Sequence, residues 1–280
     1  MIHSDATALV GNSPLVELSR LSHDLPGRVI AKLEMRNPAG SVKDRLGLAL
    51  IDDAERRGVL KPGGTVIEAT GGNTGIGLAF VAATRGYRLI LTMPDAMSKE
   101  RVALLRQYGA EVILTSGILM TDALVRAKEL TWTIPGSVYV DQFRNPANPD
   151  LHRRTTGPEM WDDTSGAIDI FVSAVGTGGT ITGVGEMLKS RKPSVKIVAV
   201  EPTGAALLSG KTAGTHQMPD IGVGFIPEVL NRAVIDEVIA VTDDEASDAA
   251  RRLAQEESIL AGVKIERDSR PTANRKTGSP

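Results

Sequence analysis

The sequence predicts an α/β protein of parallel sheets covered by helices, and three observations predict it. From about residue 29 to 200, short β-branched runs alternate with amphipathic stretches, the pattern of strands joined by crossover helices. Glycine-rich turns directly follow three of the apolar runs, where such folds bind ligands at the carboxyl ends of strands. The bulk composition, 41% hydrophobic and 24% charged over 280 residues, suits a globular chain with room for one large domain or two medium ones.

Val29–Glu34 reads as the first strand, and Val42–Arg57 as a helix with Ser41 as its N-cap. Strand Thr65–Glu68, helix Thr74–Arg85, strand Arg88–Met93 and helix Lys99–Tyr108 behind Ser98 follow. Strand Glu111–Leu114, a helix around Asp122–Leu130 and strand Ser137–Val140 complete a first block. Asn145–Asp150 (NPANPD) reads as a Pro/Asn-rich connector and a domain crossing. A second block adds strand Ile168–Ala174, helix Ile181–Lys189 and strand Lys196–Val200, then strand Glu237–Val241. Thr242 and Glu245 form a capping box for helix Asp243–Glu256. The alternation implies parallel sheets covered on both faces.

Several function classes are excluded or left without support. A net charge of -2 does not suit a polyanion binder, so no nucleic-acid partner is expected. No apolar run approaches membrane-spanning length, and the start shows no secretory pattern. With no cysteine there is neither disulfide nor thiolate metal site, and the cytoplasm is the expected compartment. The four histidines, His3, His23, His152 and His216, form no H-x-x-x-H pair, so no metal site is expected.

The chemistry concentrates in the three glycine-rich turns. The first, Asn37-Pro-Ala-Gly-Ser-Val-Lys-Asp-Arg45, puts Lys43 in the first turn of a helix, where a cation opposes the dipole. Alone, it would be a surface lysine; in an amide-rich, desolvated cleft it could lose its proton and form a Schiff base. The second, Glu68-Ala-Thr-Gly-Gly-Asn-Thr-Gly-Ile-Gly77, combines helix-start N–H groups with Thr70, Asn73 and Thr74 as a carboxylate cradle. A tight turn with a helix cap explains one or two of these residues but not the run. The third, Val175-Gly-Thr-Gly-Gly-Thr-Ile-Thr-Gly183, offers amides and hydroxyls to a phosphate dianion. It lacks the Lys-Ser/Thr pair of a P-loop, and Ile181 stands where a dinucleotide fingerprint needs its third glycine. A nucleotide enzyme is therefore weakly supported.

A phosphate cup, a carboxylate cup and an imine lysine describe pyridoxal phosphate with an amino acid. The chain resembles the cysteine synthase (O-acetylserine sulfhydrylase) family of fold-type II pyridoxal-phosphate enzymes. The resemblance runs from Gly11-Asn-Ser-Pro-Leu-Val16 to about Gly262, and is carried by the Asn37–Arg45 run, Gly72–Ala79, Met93–Ser98, Gly176–Gly183 and Gly222-Val-Gly-Phe-Ile-Pro227. It implies two parallel-sheet three-layer domains with the cofactor in the cleft between them. Residues 1–40 and 146–263 would form the larger, cofactor-binding domain, residues 41–145 the smaller one that closes on the substrate, and 264–280 a disordered tail. Lys43 would form the internal aldimine and take the α-proton. Asn73 would bond the cofactor's ring hydroxyl, and Gly176, Thr177, Gly178, Gly179 and Thr180 would hold its phosphate. Thr70, Gly71, Asn73, Thr74 and Gln142 would hold the substrate carboxylate, with Gly222 near the amino end. The implied reaction is loss of acetate from O-acetylserine to an aminoacrylate, then addition of sulfide. A homodimer is expected, and the C-terminal peptide of serine acetyltransferase is an implied partner.

Two departures qualify the match. Gly71 replaces the serine of the family's T-S-G-N-T loop, removing one hydroxyl. After Val263 the family's serine turn, helix and last strand are replaced by a polar, basic run without apolar period, and Ser269 is not assigned the family serine's bond to the pyridine nitrogen. A catalytically impaired remnant that binds pyridoxal phosphate or the acetyltransferase peptide is therefore one alternative. O-phosphoserine sulfhydrylase and cystathionine β-synthase are others, whereas a dehydratase would more usually carry Ser-Phe-Lys at the imine lysine.

Overall fold

The computed structural model describes residues 2–117 and 120–261. The segment 264–280, expected to be a disordered tail, therefore lies outside the described residues.

Strands β1 (Leu15–Glu17) and β2 (Ile30–Lys32) pair antiparallel as a small ribbon. The strand expected over Val29–Glu34 is thus shorter, and it stands apart from the parallel sheets. Helix α1 (Lys43–Arg56) follows, with Val42 at its N-cap rather than Ser41. Ser41 still serves the helix start, its Oγ accepting the Lys43 N–H at 3.1 Å.

The second sheet is four-stranded and wholly parallel. It contains β3 (Thr65–Ala69), β4 (Arg88–Pro94), β5 (Glu111–Thr115) and β6 (Ser137–Tyr139) in the order β5-β4-β3-β6. Thr65 pairs with both Arg88 and Ser137, which fixes the register of the centre. Helices α2 (Asn73–Arg85) and α3 (Lys99–Gln107) join α1 on one face, where Leu46, Leu50, Leu78, Leu91 and Leu105 are buried. Helix α4 (Met120–Thr133) covers the other, sealing Ile67, Ile90, Ala123 and Ala127. This sheet is covered on both faces, as parallel sheets require.

The NPANPD segment is not a plain connector. Asn145 Oδ1 accepts the Ala147 N–H at 2.9 Å and starts helix α5 (Ala147–Leu151), which runs through a π-helical turn (His152–Thr156) into α6 (Gly157–Asp163). Pro146 and Pro149 fall at the cap and in the first turn, where a missing N–H costs no helical bond.

The third sheet, β7 (Ile170–Ala174), β8 (Lys196–Pro202) and β9 (Glu237–Val241), is parallel in that order. Helix α7 (Gly179–Arg191) covers one face through Ile181, Val184 and Leu188. The other face departs from expectation. Ile170 and Val172 are 57% and 56% exposed, because no described helix lies over them. Helix α8 (Asp243–Glu257) carries the expected Thr242–Glu245 capping box but buries no residue of its own.

Candidate functional site

The three glycine-rich turns lie at the carboxyl ends of β3 and β7 and at the start of α1. Close helix packing sets their spacing. An ideal Cβ on Gly77 would stand 2.3 Å from the Lys43 carbonyl oxygen, and one on Gly47 2.5 Å from the Gly77 carbonyl carbon. Only glycine lets α1 and α2 approach this closely, and the approach brings Lys43 beside the start of α2.

Lys43 keeps some solvent access, yet enough protein surrounds its side chain that burial lowers the ammonium pKa. The charges of Asp220 and Glu34 oppose that shift. The two residues after it in sequence are structural. Asp44 Oδ2 accepts the Ala39 N–H at 2.6 Å and closes the preceding loop. Arg45 is buried and forks between Glu34 and Glu159, with Nε–Oε2 of Glu34 at 2.8 Å and Nη2–Oε2 of Glu159 at 2.6 Å. Burial would depress the guanidinium, but the paired carboxylates raise it above its ordinary value. The Asn37–Arg45 run therefore holds one chemical residue in a frame of charge-assisted bonds.

At the α2 start, Thr70 Oγ1 accepts the Gly72 N–H at 3.2 Å, and Gly71 O accepts from Arg101 Nη1 at 2.6 Å. The Thr74 hydroxyl donates to Gln142 Oε1 at 2.7 Å, and Gln142 Nε2 donates to Ala69 O at 3.3 Å. Thr70, Thr74 and Gln142 are all buried, so the structure brings the expected carboxylate donors together. An ideal Cβ on Gly71 would stand 2.4 Å from Met97 Sδ, so the thioether packs directly on this turn.

The third turn caps α7. Gly178 adopts φ +84°, a left-handed conformation that glycine takes without strain, and the helix begins at Gly179. Its first N–H groups have no acceptor within the helix. Asn148 Nδ2 donates to Thr177 Oγ1 at 3.0 Å and to Gln142 O at 2.8 Å, tying this loop to the carboxylate cradle. Thr180 Oγ1 lies 3.2 Å from His152 Nε2, and His152 Nδ1 lies 2.9 Å from Thr156 Oγ1. Burial, then the charges of Lys43 and Arg45, hold His152 well below the ordinary imidazole range, so it is neutral at pH 7. A shallow pocket beside the loop is walled by Val175, Gly176, Glu201, Ala205, Gly222 and Phe225.

Gly222 lies in the connector between β8 and β9, with its carbonyl accepting from His216 Nε2 at 3.1 Å in the tautomer that protonates Nε2. The same connector brings Asp220 against Asn73, which sequence reasoning did not single out. Asn148 and His152 were missed as well. Asp220 meets Asn73, Asn148 meets Thr177 and His152 meets Thr180 across 147, 29 and 28 residues, so no local spacing marks these contacts.

The donor chemistry fits pyridoxal phosphate. It provides a lysine whose amine is depressed by burial, a helix start with free N–H groups and hydroxyls for a dianion, and a second helix start for a carboxylate. The segment after Val263, where the family's serine turn is replaced and no pyridine-nitrogen partner is assigned, lies outside the described residues.

Comparison with known proteins agrees. The family described as pyridoxal-phosphate dependent enzyme matches residues 6–264. A cysteine synthase of Staphylococcus aureus (strain N315) is 49% identical over 259 residues, covering 92% of this chain and 83% of that protein. Among solved structures, O-ureido-L-serine synthase superposes with a TM-score of 0.89 at 43% identity, over 94% of this chain and 83% of that one. A hydrogen sulfide-producing enzyme from Fusobacterium nucleatum gives 0.90 at 38%, over 94% and 88%. A cysteine synthase from Entamoeba histolytica gives 0.89 at 39%, over 94% and 79%.

Proposed function

The chain belongs to the family of pyridoxal-phosphate dependent enzymes, and we propose that it forms L-cysteine by exchanging the acetyl ester oxygen of O-acetyl-L-serine for sulfide. The observation that carries this reading is the joining of Lys43, the α2 cradle and the 176–180 loop in one site, in a chain 49% identical to a cysteine synthase.

When bound, pyridoxal phosphate supplies an electron sink that stabilises negative charge at the substrate's α-carbon. The chain's own residues do the rest. Lys43 Nζ would hold the cofactor and would serve as the base for the substrate's α-proton. Burial favours its neutral form, which both tasks need. Gly176, Thr177, Gly178, Gly179 and Thr180 would hold the phosphate at the positive end of α7. Asn73 would bond the ring hydroxyl. Thr70, Gly71, Asn73, Thr74 and Gln142 orient the substrate through its carboxylate, with Gly222 near its amino end. As Lys43 takes the α-proton, the Cβ–O bond breaks and acetate leaves. Hydrosulfide then forms the Cβ–S bond, and Lys43 returns a proton to the α-carbon. Closure of segment 41–145 on the bound carboxylate would exclude water.

The structural neighbours favour a second reading in which the nucleophile or the direction differs, since one is named an O-ureido-L-serine synthase and another a hydrogen sulfide producer. The reading includes a homodimer in the cytoplasm and leaves the serine acetyltransferase peptide as a partner. The test is to reconstitute the protein with pyridoxal phosphate, add O-acetylserine, then sulfide, and quantify acetate and cysteine. Acetate release followed by sulfide-dependent cysteine is the expected result. Acetate release without cysteine would move the assignment to another nucleophile, and no release would overturn the acetyl donor.

A further inference from the structure

Asp220 is placed where the three parts of the site meet. Its Oδ1 accepts the Asn73 N–H at 3.1 Å and its Oδ2 accepts from Asn73 Nδ2 at 2.7 Å. The backbone around it is fitted to both cups. An ideal Cβ on Gly72 would stand 1.8 Å from Asp220 Oδ1, and one on Gly176 would stand 2.2 Å from the Asp220 carbonyl oxygen. Asp220 itself adopts φ +66°, a left-handed conformation that glycine would take at no cost. Asp accepts that conformation more readily than most residues, and here it presents the carboxylate to two donors of the proposed substrate cradle.

The contact has a chemical meaning. Asn73 lies at the first position of α2, so its N–H is one of the unsatisfied donors at the positive end of the helix. A carboxylate on that donor stands where the carboxylate of an amino acid is expected. On the reading above, the substrate carboxylate displaces it, while the close fit of Asp220 to the Gly72 and Gly176 turns keeps the displaced charge beside both cups. A neutral ester there meets little opposition. A phosphate dianion meets a like charge in a partly desolvated cleft.

We propose that Asp220 is a specificity-determining residue, an internal carboxylate that competes with the amino-acid substrate for Asn73 and rejects donors whose β-substituent is anionic. The inference rests on the reading of this cleft as the amino-acid site and names the donor class within it: serine derivatives with an uncharged leaving group.

The test uses the protein reconstituted with pyridoxal phosphate and reads the shift of the bound cofactor's absorbance on titration with L-serine and with O-phospho-L-serine. Asp220→Asn keeps the size of the side chain and removes its charge. Asp220→Gly removes the carboxylate and suits the backbone, and serves if the first variant folds poorly. Cofactor affinity and Tm check that each variant is intact. The parent should bind serine at least tenfold more tightly than phosphoserine. Either variant should bind both more tightly and narrow that ratio at least tenfold, chiefly by gaining phosphoserine. An unchanged ratio, or a parent that prefers phosphoserine, would overturn the inference while leaving the site intact. Failure of every protein to bind either ligand would overturn the amino-acid site itself, and the inference with it.

Discussion

At the scale of single residues, the buried carboxyls divide by sign. Burial, then the charge of Asp141, pushes Glu68 up to about 8, although the Ala69 and Gln142 N–H groups donate to it. Burial likewise pushes Asp44 up to about 6 against the Ala39 N–H. Glu159 is opposite: burial would raise it, but Arg45 and Lys32 hold it down to about 2. In the unfolded chain these groups ionise near the ordinary carboxyl range. Glu68 and Asp44 therefore add stability that is complete below about pH 4 and lost as pH rises through about 6 and then about 8. The contribution of Glu159 is lost only as pH falls toward about 2. Unfolding free energy should accordingly fall between pH 5 and 8.5. Glu68→Gln, which turns an amide NH₂ toward a backbone donor, should cost about 1–2 kcal/mol at pH 5 and less as pH rises. Denaturant titrations across that range check this, and a gap independent of pH would contradict it. Lys43 stood out in the sequence through the family context of the Asn37–Arg45 run, since a lysine at a helix start alone reads as a surface residue. Sequence alone did not reveal that Asp44 and Arg45 serve structure, or that Met97 packs on Gly71, since those partners are brought together by folding.

At the scale of elements, the close crossing of α1 and α2 decides where the lysine sits. Gly77→Ala would drive a methyl group into the Lys43 backbone, which has no flexible end to yield. Overpacking of this kind costs about 1–3 kcal/mol. The site should suffer more than the fold, because the displaced backbone is that of Lys43 itself. Thermal unfolding and cofactor titration of this variant should show a modest loss of stability with a clear loss of pyridoxal-phosphate affinity. Normal affinity at a lowered Tm would show that the crossing does not position the lysine. Most elements were readable because period and punctuation agree: the strands of the four-stranded sheet are apolar runs, and Thr242–Glu245 is a capping box in both sequence and structure. Helix α5 was not readable. Its prolines signal a turn, and only Asn145 Oδ1 on the Ala147 N–H reveals a helix start. The open face of the third sheet was equally hidden, because a strand's sequence does not say whether a helix is available to cover it.

At the scale of the whole molecule, the chain holds separate apolar cores, around the four-stranded sheet and around β7–β9. The proposed site draws Lys43, Asn73 and Gln142 from the first side and residues 176–180 from the second. A ligand held by both should couple them. The apo-protein should therefore unfold over a broad or split transition, and pyridoxal phosphate should raise and sharpen it, by about 4 kcal/mol at a thousandfold excess over Kd. Calorimetry with and without cofactor checks this, and two transitions unmoved by cofactor would contradict it. The central claim is that Lys43 is the residue to which the cofactor is joined. Its most direct test is borohydride reduction of the reconstituted protein, followed by peptide mapping by mass spectrometry. A phosphopyridoxyl group on Lys43 in the parent, and no single replacement site in Lys43→Ala, is the predicted result; stoichiometric labelling of any other lysine in the parent would contradict it.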